Sequence, residues 1–267
     1  MRKSQYILLS LDVEEFDLPL EYDLPVPMES QLSLGKIGWD AVDPLIHAAD
    51  LRTTLFTTAN FAVHYPDAVK KMAARHELAS HAYYHGSFEP EDLASSRIKL
   101  EEIAGVKVMG LRMPRMRKVD MESVRNAGYT YDSSINPTWI PGRYNNRGLP
   151  RTLYQENGIH RLPASVSPHL RIPLFWLAFK NLPYSLFKFL ALQTLKKDGY
   201  LCLYFHPWEF MDLSAFKIPA YLKRQDGLVL QEKLARLIRD LGKEGSFISI
   251  RDFIGLPEKN RMSAARS

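Results

Sequence analysis

Four short stretches of the chain carry residues whose types and spacing suit chemistry, and three of them end apolar runs. The first is Asp12-Val13-Glu14-Glu15, directly after Tyr6–Leu11. Side chains alternate across a strand, so Asp12 and Glu14 share one side and Val13 and Glu15 the other. Such a carboxylate pair can divide its work, one group holding a metal and the other taking a proton. The second is His81-Ala82-Tyr83-Tyr84-His85; on a helix, histidines at i and i+4 share a face and can bring two imidazoles to one Zn²⁺. The third is Tyr204-Phe205-His206-Pro207-Trp208-Glu209, where a strand ends in an imidazole suited to proton transfer near neutrality. The fourth is Leu111-Arg112-Met113-Pro114-Arg115, a cation able to clamp a carboxylate. Taken singly, each also reads as ordinary structure: solvated loop acids, turn histidines, a strand-end histidine without chemistry, a surface salt bridge.

These groups need elements to place them. Strand-like runs at Tyr6–Leu11, Thr53–Thr58, Lys107–Leu111, Tyr129–Asp132, Tyr200–His206 and Ser246–Ile250 alternate with helical patterns. The helices are expected at Trp39–Ala49, Asp67–Arg75, Glu91–Glu102, Asp120–Ala127 and Leu228–Leu241, with short segments at Glu77–Ser80 and Asp252–Gly255. That alternation predicts a mostly parallel sheet. Over 267 residues, it predicts one barrel-like α/β domain spanning 1–257, followed by a basic tail at 258–267 with Lys259, Arg261 and Arg266. Asp12, Arg112 and His206 would all sit at or just beyond C-terminal strand ends, where α/β barrels place their active sites. Asp17–Pro27, with three prolines, reads as a loop. Leu170–Leu195 is an apolar insertion broken by Lys180, Asn181, Pro183 and Lys188. A membrane span needs about 20 predominantly apolar residues, so the insertion is expected to form short helices over the barrel. Its aromatic residues Phe175, Trp176, Phe179 and Phe187 predict a partly exposed surface that docks to a membrane or a lipid-linked sugar.

Composition narrows the function. With 46% hydrophobic and 24% charged residues, the chain is globular. The net charge of +5 is too thin for a nucleic-acid groove. The lone Cys202 excludes an internal disulfide and a multi-cysteine zinc site, and its apolar run predicts a buried thiol. No signal-peptide cleavage site follows Met1–Gln5, which predicts a cytoplasmic protein, peripheral on the inner face of the membrane if the insertion docks there. Oligomeric state is left open.

In order, the four stretches resemble the motifs of the polysaccharide deacetylase superfamily, carbohydrate esterase family four of the NodB-homology type. The likeness is carried by Ser10-Leu-Asp-Val-Glu-Glu-Phe16, Glu77-Leu-Ala-Ser-His-Ala-Tyr-Tyr-His85, Leu111-Arg-Met-Pro114 and Tyr204-Phe-His-Pro-Trp-Glu209, joined by Tyr131-Asp-Ser-Ser-Ile135. The branch with Asp-x-Glu first and His-Pro-Trp-Glu late is the most similar. The resemblance implies a single irregular (β/α) barrel with fewer than eight strands and a divalent metal at its mouth. Zn²⁺ is favoured, with Co²⁺ and Ni²⁺ also suiting the donor set. It implies Asp12 as general base, Arg112 as its orienting partner, His81 and His85 as metal ligands, and His206 as general acid. Arg115 and Trp208 are placed as substrate contacts. The family's second aspartate is Val13 here, so Glu14 is the best substitute ligand, with Glu15 behind it. Ala82 replaces the usual serine or threonine, and Arg115 the usual tyrosine. The implied reaction removes an N-acetyl group from an amino sugar of a polysaccharide, glycan precursor or glycoconjugate. Two rivals remain: a metal-free barrel glycosidase, which needs two carboxyl groups roughly 5–9.5 Å apart across the sugar bond, and an inactive carbohydrate-binding relative on the same barrel.

Overall fold

The computed structural model describes residues 5–258 and 261; apart from Glu258 and Arg261, the expected basic tail lies outside the described residues. In chain order the elements begin with β1 (Tyr6–Val13), α1 (Met28–Ala48), β2 (Thr54–Thr57), α2 (Ala59–His64), α3 (Pro66–Arg75), β3 (Glu77–Ser80) and α4 (Asp92–Ala104). Then come β4 (Gly110–Leu111), α5 (Met121–Asn126), β5 (Tyr131–Asp132) and two hairpins, β6 (Trp139–Ile140) with β7 (Tyr144–Asn145) and β8 (Tyr154–Glu156) with β9 (Ile159–Arg161). The chain continues through α6 (Trp176–Asn181), α7 (Tyr184–Asp198), β10 (Tyr200–Phe205), α8 (Gly227–Gly242), β11 (Ser246–Phe247) and α9 (Ile250–Gly255).

The main sheet runs β10-β1-β2-β3-β4-β5-β9-β8, with β11 also paired to β1. Along that path every pair is parallel except β8–β9. The sheet curls into an incomplete barrel, as expected, but it holds nine strands rather than fewer than eight, because the β8–β9 hairpin and the short β11 extend it. Strand alternation sorts the side chains. Ile7, Leu9, Leu11 and Val13 of β1 join the core beneath the helices, while Leu8 joins Phe56, Ala79, Tyr131 and Cys202 inside the barrel. Phe253 of α9 packs on Tyr6 and Tyr200 and closes the end where those strands begin. Near that end, buried Glu77 accepts from Thr54 Oγ1, the Tyr131 hydroxyl and Arg251 N, so this carboxylate has its partners and serves the floor of the barrel. Cys202 is fully buried and burial pushes its thiol up to about 11, as its apolar run predicts.

Several elements differ from the sequence reading. Helix α1 starts at Met28 instead of Trp39 because two glycines lie on its buried face and hide the apolar periodicity. A Cβ on Gly35 would stand 2.2 Å from the Glu14 carbonyl oxygen, and one on Gly38 2.5 Å from the Pro207 carbonyl carbon. These glycines let α1 press against the loops after β1 and β10 together. The final expected strand shortens to Ser246–Phe247, because Ser249 Oγ caps α9 by accepting from Asp252 N. The insertion forms the two short helices α6 and α7, and no helix among the described residues is long and apolar enough to cross a membrane. Its apolar surface is partly exposed, as expected, but through other residues: Phe175, Phe179 and Phe187 are buried and the half-buried Trp176 lines the cleft at the barrel mouth, while Leu170, Leu186 and Phe189 face solvent.

Candidate active site

The C-terminal ends of β1, β3, β4 and β10 meet at a cleft of about 310 Å³, whose walls include Asp12, Glu14, His81, His85, Arg115, Tyr204, His206 and Trp208. Asp12 and Glu14 both face it, as alternation predicts. Glu15 turns the other way, accepting from Thr58 Oγ1 at 2.8 Å and Asn60 Nδ2 at 2.5 Å.

His81 and His85 converge, but not by helical spacing. Both belong to the loop after β3, where Ala82 adopts a left-handed φ of 61°. The turn brings the rings to a centroid distance of 5.6 Å with 25° between planes. Glu14 Oε2 lies 2.9 Å from His81 Nε2 and 3.1 Å from His85 Nε2. Each imidazole is oriented from behind: His81 Nδ1 is 2.8 Å from the Arg112 carbonyl oxygen, and His85 Nδ1 is 2.7 Å from Asp17 Oδ1. A carbonyl and a carboxylate only accept, so both Nδ1 atoms carry hydrogen and both neutral rings aim a lone pair from Nε2. Glu14 Oε1 accepts from Trp208 Nε1 at 3.0 Å, while the buried Oε2 has no hydrogen-bond partner. Three acceptor atoms thus converge within 4.8 Å of one another. Buried lone pairs facing one another require a shared proton or a cation, and an N₂O donor set with oriented imidazoles fits a divalent metal.

Without a metal, protons do this work. Burial alone would lower the His85 imidazole, but Glu14 and Asp17 raise it to about 9. Burial alone would raise the Glu14 carboxyl, yet His85, His206 and His81 hold it well below the usual carboxylate range. At pH 7 the metal-free site therefore holds a proton on His85, which a metal must displace. We expect divalent-cation affinity to rise with pH up to about 9 and to level above it. Calorimetry in buffers of different ionisation enthalpy should report about one proton released per metal bound at pH 7; release of none would contradict the Glu14–His85 pairing.

Asp12, Arg112 and His206 flank this cluster. Arg112 is fully buried, donating to Asp12 Oδ1 at 2.6 Å, Ser10 Oγ at 2.9 Å, and both Oγ and the carbonyl of Ser133. Its guanidinium lies over the Phe56 ring at 4.0 Å. Burial opposes its charge, and Asp12 more than restores it, raising Arg112 above its ordinary value. The Tyr131–Ile135 segment buttresses this pair, since Ser134 Oγ also accepts from Met113 N. Asp12 Oδ2 is 3.8 Å from His206 Nε2. His206 stacks on Trp208 at 4.9 Å and 22°, and its Nδ1 is 3.1 Å from Glu209 Oε1. Burial would lower His206, but Glu14, Glu209 and Asp12 raise it.

The two expected substrate contacts prove to be tied into the site itself. Arg115 binds Asp17 at 2.9 Å and Glu21 at 2.7 Å, fixing the acid that orients His85. Trp208 is buried and anchors Glu14. Asp17, Asn136, Trp176 and Glu209 were not singled out as site residues by sequence. Asp17 lay in an apparent loop, and only the fold shows that the 3-10 turn Leu18–Tyr22 follows it. Asn136 lines the cleft and donates to the hydroxyls of Tyr144 and Tyr204, leaving its Oδ1 without a partner.

The chain is similar in fold, and over part of its length in sequence, to proteins assigned as polysaccharide deacetylases. Residues 36–131 match the polysaccharide deacetylase family model, a stretch that holds His81, His85 and Arg112 but neither Asp12 nor His206. No curated protein matches the chain. A structure from Pseudomonas aeruginosa PAO1 assigned as a polysaccharide deacetylase superposes with a TM-score of 0.62 at 16% identity, covering 92% of this chain and 88% of its own. One from Mycobacterium smegmatis with the same assignment gives 0.61 at 18% identity, covering 95% and 90%. A Bacillus anthracis protein described as a carbohydrate esterase family four pseudoenzyme gives 0.50 at 11% identity, covering 94% of this chain and 66% of its own. At these identities the structural likeness is one of fold. The sequence match is to the polysaccharide deacetylase family model over residues 36–131 alone.

Proposed function

We propose that the protein is a metal-dependent hydrolase that removes the N-acetyl group from an amino sugar, with Glu14, His81 and His85 as metal ligands. The observation that carries this reading is the convergence of the Glu14 Oε2, His81 Nε2 and His85 Nε2 acceptors between the proton-handling groups Asp12 and His206. A divalent cation, Zn²⁺ by its donor preference, supplies Lewis-acid polarisation of the acetamide carbonyl and makes water more acidic. Asp12, held at Oδ1 by Arg112, turns Oδ2 to the cleft and takes the proton of the attacking water. His206, kept by Glu209 with Nε2 toward the cleft, gives a proton to the leaving amine, which is too basic to depart unprotonated.

The glycosidase alternative lacks its acid. A general-acid carboxyl needs a raised pKa, whereas Glu14 is held low by three imidazoles and the other cleft acids are ion-paired, Asp12 with Arg112 and both Asp17 and Glu21 with Arg115. The inactive-relative reading rests on the departed first motif, but Glu14 supplies the carboxylate that Val13 cannot. The test is acetate release from N-acetylated chitooligosaccharides before and after chelator dialysis. Acetate release that is lost on dialysis and restored by Zn²⁺ is expected. Chelator-insensitive cleavage of the glycosidic bond, or sugar binding without acetate release or bound metal, would support one of the rivals.

A further inference from the structure

The insertion that looked like an apolar cap carries a buried charge behind the proposed proton donor. Trp176, at the start of α6, meets the His206 ring edge-on at 5.3 Å. One turn later on the same face is Lys180, fully buried, whose Nζ has no hydrogen-bond partner. Glu209 is likewise fully buried. Its Oε1 accepts from His206 N at 2.7 Å and lies 3.1 Å from His206 Nδ1, while its Oε2 has no partner. The acids whose charge reaches Lys180 are Glu209 and Asp226, neither of which hydrogen-bonds to it. Asp226 already accepts from Leu213 N at 2.9 Å. The neighbouring cation, Lys233 of α8, donates to the carbonyls of Phe179 and Leu182 and to Gln225 Oε1.

Resting on the assignment of His206 as proton donor, we infer that Lys180 is a positioning residue acting through Glu209. Its ammonium balances the buried Glu209 carboxylate, and that carboxylate keeps His206 protonated with Nε2 facing the cleft. The physical reason is mutual need. A buried charge is retained only when an opposite charge compensates it, and Lys180 Nζ and Glu209 Oε2 are both buried without a hydrogen-bond partner. Burial pushes the Lys180 ammonium below the usual lysine range, and Glu209 and Asp226 oppose that. Of the three acids that raise His206, Glu14 is assigned to the metal and Asp12 is paired with Arg112. In the metal-loaded protein, Glu209 is thus the acid left to sustain the proton on His206.

The experiment reads His206 directly in Zn²⁺-loaded protein labelled with ¹⁵N-histidine, titrating its ring nitrogens by NMR. Lys180→Met should lower the His206 midpoint by about one pH unit, a roughly tenfold loss of proton affinity, while Lys180→Arg retains it. Glu209→Gln should lower it at least as far, and adding Lys180→Met to Glu209→Gln should change nothing more. The alkaline limb of kcat/KM for acetate release should move with the midpoint. A folded Lys180→Met protein with an unchanged His206 midpoint overturns the inference, as does a Lys180→Met shift that persists undiminished beside Glu209→Gln. Labelling lysine ¹³Cε gives a second measurement that needs no Lys180 variant: the Lys180 midpoint must fall in Glu209→Gln, and an unchanged midpoint also overturns it. The titrations need no turnover, so a wild type that releases no acetate counts against the deacetylase reading alone.

Discussion

Asp12→Asn should abolish most turnover while leaving the metal in place. Asp12 is 2% exposed and accepts from Arg112 Nη1 at 2.6 Å, so asparagine can keep the shape and still offer Arg112 a carbonyl oxygen. It cannot take a proton from water. General-base removal typically lowers rate by about 10²–10⁴, and that loss is expected in kcat with metal content unchanged. The substitution also leaves Arg112 as a buried cation without its counterion, which destabilises the fold. Circular dichroism and metal analysis on the same sample separate that effect from lost chemistry. A folded, metal-loaded Asp12→Asn protein with near-normal acetate release would remove Asp12 from the mechanism.

The second large effect distinguishes two adjacent glutamates. Glu14→Ala should lose metal and activity together, because two imidazoles seldom hold a divalent ion against chelator. His81→Ala and His85→Ala should behave the same way. Glu15→Ala should keep the metal, since its carboxylate faces Thr58 and Asn60. It should instead cost stability, on the order of 1–3 kcal/mol, by leaving those two buried donors unpaired. Metal stoichiometry after chelator dialysis, with a urea melt of each variant, reads both outcomes. Stoichiometric metal in Glu14→Ala would refute the proposed ligand set, and metal loss confined to Glu15→Ala would exchange the two residues.

Strand alternation was readable from residue types alone. A period of two places Asp12 and Glu14 on one side and Glu15 on the other wherever the strand lies in space, because the covalent geometry of extended chain sets it. The apolar runs before Asp12 and His206 likewise located two strand ends that open on the cleft. The reading failed where a side chain's role depends on residues remote in sequence. His81 and His85 looked helical by spacing, yet a left-handed Ala82 in a loop brings them together, held by Asp17 and the Arg112 carbonyl. Trp208, expected as a substrate contact, lines the cleft, and only the fold shows that it also donates to Glu14 Oε1, 194 positions away in the chain. The aromatic insertion exposes Phe189, but which of its rings turn inward was not readable: the curl of the sheet gives it β10 to pack against, Phe179 meeting Phe205 at 5.3 Å. Helix α1 was cut short in the reading because Gly35 and Gly38 carry no apolar signal; their meaning is the backbone of two other loops, 2.2 and 2.5 Å from where a Cβ would stand. Local periodicity thus determined which of the residues from Asp12 to Glu15 face the barrel mouth. Only the tertiary structure decided what each of them touches there, because those partners come from strands and loops that the closing of the sheet alone brings together.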